Sequence, residues 1–225
     1  NREFMSDSNV PGQISFSPKH VATLPNLGEV DIFRSIQYLP GVQLALGSTS
    51  DLYIRGGSPD QNLITLDGMT LYQTSHMFGF LSSISKEAIK DVQIFKGHIP
   101  ANFGGRTSSV VELMSRSGDN SNYRGSIYGN LMSSGISAEI PIFKKGSVIF
   151  NFRKSRPSNQ FSKVYKSIEK YMTIDNKFNL ITEIGEQNIN QNTEYDLFSS
   201  YEDFFNRFSY LINSKHRATF TLISS

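Results

Sequence analysis

The side chains best suited to metal binding are His20, His76, His98 and His216, which stand singly along 225 residues. None belongs to an HExxH or comparable pairing, so no ligand set with metal-site spacing is formed. Cysteine is absent, which removes thiolate ligands, disulfides and a Cys nucleophile together. No Gly-x-Ser-x-Gly elbow presents a serine for acyl transfer. Gly56-Gly57 lacks dinucleotide-loop spacing, and Lys96-Gly97 runs into His98 rather than into a phosphate loop. The chain therefore reads as a non-enzyme that calls for no cofactor and no metal. Two arginines stand apart. Arg55 is expected inside an apolar strand, following Leu52-Tyr53-Ile54, and Arg106 sits in a turn beside Gly104-Gly105. A guanidinium in such a place needs a carboxylate, either inside the same domain or on a surface packed against it.

The elements that must position these groups fall into two textures. Up to about residue 117, Pro and Gly punctuate short apolar runs at 14–16, 52–54, 63–66, 92–95 and 110–114, each of strand length. Between them, Val30, Phe33, Ile36 and Leu39 recur at helical spacing within residues 29–39, and Pro40-Gly41 stops the run. A shorter helix is expected over residues 86–89 with Ser85 as its N-cap. The implied unit is a small α+β domain with long loops.

From Tyr123 the period becomes two. Val148, Phe150 and Phe152 alternate with Asn151 and Arg153. Phe204, Phe208, Tyr210 and Ile212 alternate with Asp203, Arg207 and Ser209, and Ala218, Phe220 and Leu222 with Arg217, Thr219 and Thr221. One face of each strand is apolar and the other polar. A first strand within residues 124–142 is blurred by Gly and Ser. Connections alternate short (143–146), long (157–200) and short (213–216), as in a transmembrane barrel, although a soluble sandwich also alternates. Residues 164–172 of the long connection have helical spacing, as a lid helix or a loop packed on itself. No run approaches the ~18 apolar residues of a membrane helix, but barrel strands need only about 10 alternating ones. With 38% hydrophobic residues the chain can bury a core. The near-balance of 22 basic and 20 acidic residues argues against nucleic acid as a partner.

Three segments in order carry a resemblance. They are Leu39-Pro40-Gly41-Val42; then Ile54-Arg55-Gly56-Gly57 leading to Leu63-Ile64-Thr65-Leu66-Asp67-Gly68; then Val92-Gln93-Ile94-Phe95-Lys96-Gly97 followed by Phe103-Gly104-Gly105-Arg106 and Val110-Val111-Glu112-Leu113. This series resembles the plug domain of TonB-dependent outer-membrane receptors, with Phe103 where the family has Tyr. Asp67-Gly68 between apolar runs is independently a hairpin signal, because that turn needs positive φ.

The resemblance implies an α+β plug domain, a small mixed sheet with short helices, over residues 14–117, after a lead-in segment at 1–13. Antiparallel strands of a large transmembrane β-barrel follow over residues 123–225. Four strands cannot close a barrel without leaving backbone groups bare in lipid, so a longer chain is expected. Asn1 opens the sequence without a charged-then-apolar leader, as expected of a processed or excerpted chain.

The implied function is active import across the outer membrane of a Gram-negative bacterium; the alternative is a receptor-like structural subunit of a larger outer-membrane assembly. Partners implied are a TonB-type energy-coupling protein, engaged through a segment upstream, outer-membrane lipid, and a surface lipoprotein or larger complex. The ligand would meet two apical plug loops: Ser58, Pro59, Asp60 and Gln61, and then Tyr72, Gln73, Thr74, Ser75, His76, Met77 and Phe78. Plug-core or plug–barrel packing is the other reading for Met77, Phe78 and Phe80. Arg55 and Arg106 would meet carboxylates of the barrel wall or pair inside the plug.

Overall fold

The computed structural model describes residues 6–7, 12–18, 30–43, 45, 50–76, 81–130, 133–155 and 201–225. The expected loop at 157–200, Met77, Phe78, Phe80 and most of the lead-in lie outside the described residues.

Helix α1 (Ile32–Gln37) starts where Asp31 caps it, its carboxylate accepting the Arg34 N–H at 3.0 Å. The helix is therefore shorter than the apolar spacing implied. Its other carboxylate oxygen accepts the Ser82 N–H at 2.7 Å, tying the cap to a neighbouring strand. Gly41, at φ 77, turns the chain away beyond Pro40. The expected second helix is a single 3-10 turn (Lys86–Ala88) capped by Ser85, because Ile89 already belongs to a strand.

The first domain is built on a six-stranded mixed sheet. Its strands are β1 (Ser6–Asp7), β2 (Gln13–Phe16), β5 (Asn62–Leu66), β6 (Met69–Thr70), β9 (Ile89–Lys96) and β10 (Ser109–Ser115). They lie in the order β1-β2-β9-β10-β5-β6, antiparallel except for the parallel β10–β5 pair. Small pairs flank it: β3 (Val42–Gln43) with β4 (Tyr53–Ile54), and β7 (Ser75–His76) with β8 (Leu81–Ser82). Register places Val111 beside Ile94 and Leu113 beside Val92. These four join Ile32, Phe33, Ile36 and Leu39 in one buried core, each large side chain contributing about 1.5–3 kcal/mol. Asp67 (φ 49) and Gly68 (φ 83) form the anticipated tight turn between β5 and β6.

The second half is one antiparallel meander of β11 (Arg124–Gly129), β12 (Ser133–Ile142), β13 (Gly146–Ser155), β14 (Glu202–Leu211) and β15 (Arg217–Ser224). Where the sequence suggested one blurred strand at 124–142 there are two. Small residues on the inward face of β12, at Ser133, Gly135 and Ser137, hide its period. One rim carries the short turns 143–145 and 212–216; Ser155 and Tyr201 lie at the other. Ser147, Ile149, Asn151, Arg153, Asp203, Phe205 and Ser209 are buried toward the first domain, while Val148, Phe150, Phe152, Phe204 and Phe208 point the other way. Ile149 and Phe205 enter the same core as the helix. No helix among the described residues is long and apolar enough to cross a membrane.

Candidate functional site

The inward strand positions and the first domain meet along a polar seam that runs the height of the sheet. Near the rim of Ser155 and Tyr201, cross-strand register sets Arg153 opposite Asp203. Arg153 Nε donates to Asp203 Oδ2 at 2.7 Å, and its Nη2 bonds the same oxygen and the Ser82 carbonyl. Asp203 Oδ1 lies 2.5 Å from His76 Nε2. The His76 ring stacks on Tyr201 at 4.2 Å, and the Arg153 guanidinium stands 5.3 Å from that ring's centre. This cluster is almost wholly out of water, with side-chain exposures of 3% for Arg153 and 8% for both His76 and Asp203. A buried charge survives only if paired and hydrogen-bonded, and here each charge has its partners.

Lower on the same strand, Arg207 bonds the Asp67 carboxylate and the Ser115 hydroxyl. Asp67 also accepts the Ser115 N–H at 3.0 Å, so the β5–β6 turn, the end of β10 and the wall share one acid. Arg116 pairs with the buried Glu139 at 2.5 Å. Nearest the short-turn rim, the Ser147 hydroxyl donates to the Ser117 carbonyl at 2.7 Å. The connector between the domains is held by Asp119, which accepts from Ser121 N, Asn122 Nδ2 and Arg124 Nη2 at 2.8–3.1 Å. The Asn122 side chain first, then the Ser121 backbone and Arg124, keep the Asp119 carboxyl below its usual range. Beside Arg153, the Asn151 amide faces a cavity of about 20 Å³ lined also by Ser83, Ser85 and Phe205. That volume suits one water and is far too small for an organic ligand.

Between the two layers, Arg116 of the first domain pairs with Glu139 of the sheet. Arg55 lies in the turn after β4, not within the strand, at φ 51, and is exposed. Arg106 is exposed and donates to the Asp60 carbonyl. Neither is hydrogen-bonded or ion-paired to the five described wall strands. Of the candidate ligand loops, Pro59–Gln61 is a 3-10 turn capped by Ser58. The Ser58 hydroxyl, more than the nearby Arg106, lowers the Asp60 carboxyl pKa. Tyr72 is 90% exposed and Gln73 exposed, with Thr74 and Ser75 partly covered. His76 does not share their exposure, since it turns to Asp203. Among the described residues no group of three or more His, Asp or Glu could hold a metal ion.

Asp67, Arg116, Glu139, Arg153, Asp203 and Arg207 were absent from the contacts expected from sequence. Their signal was present in part: Arg153, Asp203 and Arg207 occupy polar positions of alternating strands, where a charge toward a packed domain requires a partner.

A small mixed-sheet domain seated on the polar face of an antiparallel sheet whose other face is apolar is the arrangement of a plug held against a barrel wall. Residues 10–111 match the TonB-dependent Receptor Plug Domain. A search of curated proteins found no significant match. Among solved structures, the siderophore receptor PirA from Acinetobacter baumannii aligns with a TM-score of 0.61 and 16% identity, over 95% of this chain and 31% of that one. The ferric enterobactin receptor PfeA from Pseudomonas aeruginosa aligns at 0.59 and 17%, over 95% and 32%. The outer membrane transporter YddB from Escherichia coli aligns at 0.55 and 11%, over 97% and 34%. The chain thus spans about a third of the length of these structures. Its residues 10–111 match the plug-domain model of TonB-dependent receptors, and the chain shares the fold of the plug and first barrel strands of these structures.

Proposed function

We propose that the chain is the gate and first wall segment of an outer-membrane active transporter in a Gram-negative bacterium. The observation that carries this reading is the two-sided wall. Its inner face holds the plug by ion pairs, and its outer face presents Ile127, Ile136, Val148, Phe150, Phe152, Phe208, Phe220 and Leu222, a composition suited to lipid. Ligand binds above the plug, at Ser58, Pro59, Asp60 and Gln61 and at Tyr72, Gln73, Thr74 and Ser75. His76 joins them only if its contact with Asp203 opens. Met77 and Phe78 remain part of the proposed loop. Arg55 and Arg106 meet carboxylates on wall strands other than the five described. A TonB-type partner in the inner membrane pulls the plug through a segment upstream of the plug sheet.

Two structural neighbours are named for a siderophore and for ferric enterobactin, which makes ferric chelates the first cargo class to test. The test is uptake of radiolabelled ferric catecholates, cobalamin, oligosaccharides and peptides by cells with or without the receptor, and with or without the TonB-type partner. Uptake of one class that needs both proteins is expected. A receptor that imports none of them yet purifies in a stoichiometric outer-membrane complex would favour the structural-subunit role instead.

A further inference from the structure

The short-turn rim carries groups that neither the seam nor the ligand loops use. In the β12–β13 turn, the Lys145 N–H closes on the Ile142 carbonyl at 3.0 Å, with Phe143 at φ 48 and Lys144 at φ 56. Gly or Asn takes this left-handed turn readily, whereas an aromatic and a long-chain residue there are strained. Phe143 is nonetheless 88% exposed, so packing among the described residues does not offset the strain. The neighbouring β14–β15 turn presents Ile212, 61% exposed. Lys144, Lys145, Lys215 and Arg217 are exposed around them. The two turns are joined, since the Leu211 N–H donates to the Lys145 carbonyl at 2.8 Å. Asn213 Oδ1 accepts the Lys215 and His216 N–H groups at 2.9 and 2.8 Å, shaping the second turn. Residues 142–146 and 211–217 contain no Asp or Glu. At the other rim, by contrast, Lys154 is paired with Glu202 at 2.5 Å.

We propose that these two turns form a docking surface for anionic phospholipid headgroups at the short-turn rim, with Phe143 and Ile212 entering the headgroup–acyl boundary and the cations meeting phosphate. The inference rests on the reading of β11–β15 as a membrane wall, because only then do the turns lie where the outward apolar belt ends. Charge complementarity selects the occupant. Lys144, Lys145 and Lys215, unpaired among the described residues, surround two exposed apolar tips and match an anionic lipid surface, where each cation counts and the apolar side chains have somewhere to go.

The test is native mass spectrometry of the full-length receptor, purified in mild detergent and incubated with equal phosphatidylglycerol and phosphatidylcholine. The parent should retain phosphatidylglycerol preferentially. The preference should fall about fivefold for each of Lys144→Gln, Lys145→Gln and Lys215→Gln, and stay unchanged in Lys154→Gln. Phe143→Asn relieves the turn, so it should unfold at higher urea while retaining less lipid, a pair of opposite changes that general misfolding does not produce. Equal preference in the triple lysine variant and the parent overturns the proposal, as does displacement of the lipid by inorganic phosphate alone. Flotation with liposomes separates the two readings. A receptor that floats but shows no preference refutes only the headgroup site, and one that does not float refutes the membrane wall and the site with it.

Discussion

Arg55 lies across the face of Gly97, so that a methyl group at residue 97 would overlap its Nη1. The two residues belong to separate sequence motifs, Ile54-Arg55-Gly56 and Lys96-Gly97, that the fold brings together at one edge of the plug. Gly97 is also at φ 83, so an Ala there meets both backbone strain and the guanidinium. Gly97→Ala should destabilise the intact receptor by about 1–3 kcal/mol, read from its urea midpoint. Adding Arg55→Ala should return the part due to the clash and leave the part due to φ. Strictly additive effects would show that Arg55 does not rest on Gly97 in solution.

Asp67 and Arg207 couple a plug turn to the wall, and their side chains are partly exposed at 22% and 16%. A pair at that depth is worth about 1–2 kcal/mol, more than a surface pair and less than a buried one. Arg207→Gln and Asp67→Asn, which keeps a residue tolerant of φ 49, should each let ions through the receptor at lower urea in planar bilayers. The double variant should open little earlier than either single one. Opening curves that superimpose on the parent's would remove this contact from the gate.

Much of this was legible beforehand, and what was not has physical causes. Asp67-Gly68 and Ser85 announced themselves because a left-handed turn and an N-cap each demand particular residues. The outward aromatics were readable from period two alone. Arg153 and Asp203 were visible as inward polar positions, but their pairing was hidden. They belong to strands separated by residues 156–200, and no periodicity sets register across so long a connection. Arg116 carries no motif of its own, and its partner Glu139 lies on the strand whose Gly and Ser residues obscure the pattern. His76 was read for its loop chemistry, and only the wall shows that its ring is taken up by Asp203 and Tyr201.

Glu112, on β10, supplies a pH test. Partial burial first, and the charge of Asp67 second, raise its carboxyl above the ordinary 4.5. The folded receptor therefore holds this proton more tightly than the unfolded chain. Stability from this group is greatest below 4.5, falls as pH rises through the raised value, and is fully lost above it. Glu112→Gln cannot ionise, so it should be the more stable protein at neutral pH and converge on the parent in acid. Urea midpoints of both proteins from roughly pH 4 to 8 check this. A constant gap across that range would assign the difference to packing and not to titration.

The wall itself offers a controlled comparison of two ion pairs one residue apart. Arg153 faces Asp203 and Lys154 faces Glu202 on the same strand pair. The first pair is turned toward the plug with side chains 3% and 8% exposed; the second is turned away at 52% and 55%. Strand geometry and connecting loop are shared, so burial is the main variable. Removing one partner of a buried pair strands the other charge out of water, at a cost of about 3–5 kcal/mol, whereas an exposed pair is worth at most about 1 kcal/mol. Asp203→Ala should therefore lower the urea midpoint of the full-length receptor sharply and free His76, while Glu202→Ala should barely move it. Arg153→Met, which fills similar volume without charge, should also destabilise, because it leaves the Asp203 carboxylate buried beside His76 alone. The double change Arg153→Met with Asp203→Leu should recover much of the loss, since neither charge then needs a partner. If Asp203→Ala and Glu202→Ala prove equally mild, water reaches the seam in the membrane, and the plug is held there by its apolar contacts through Ile149 and Phe205 instead.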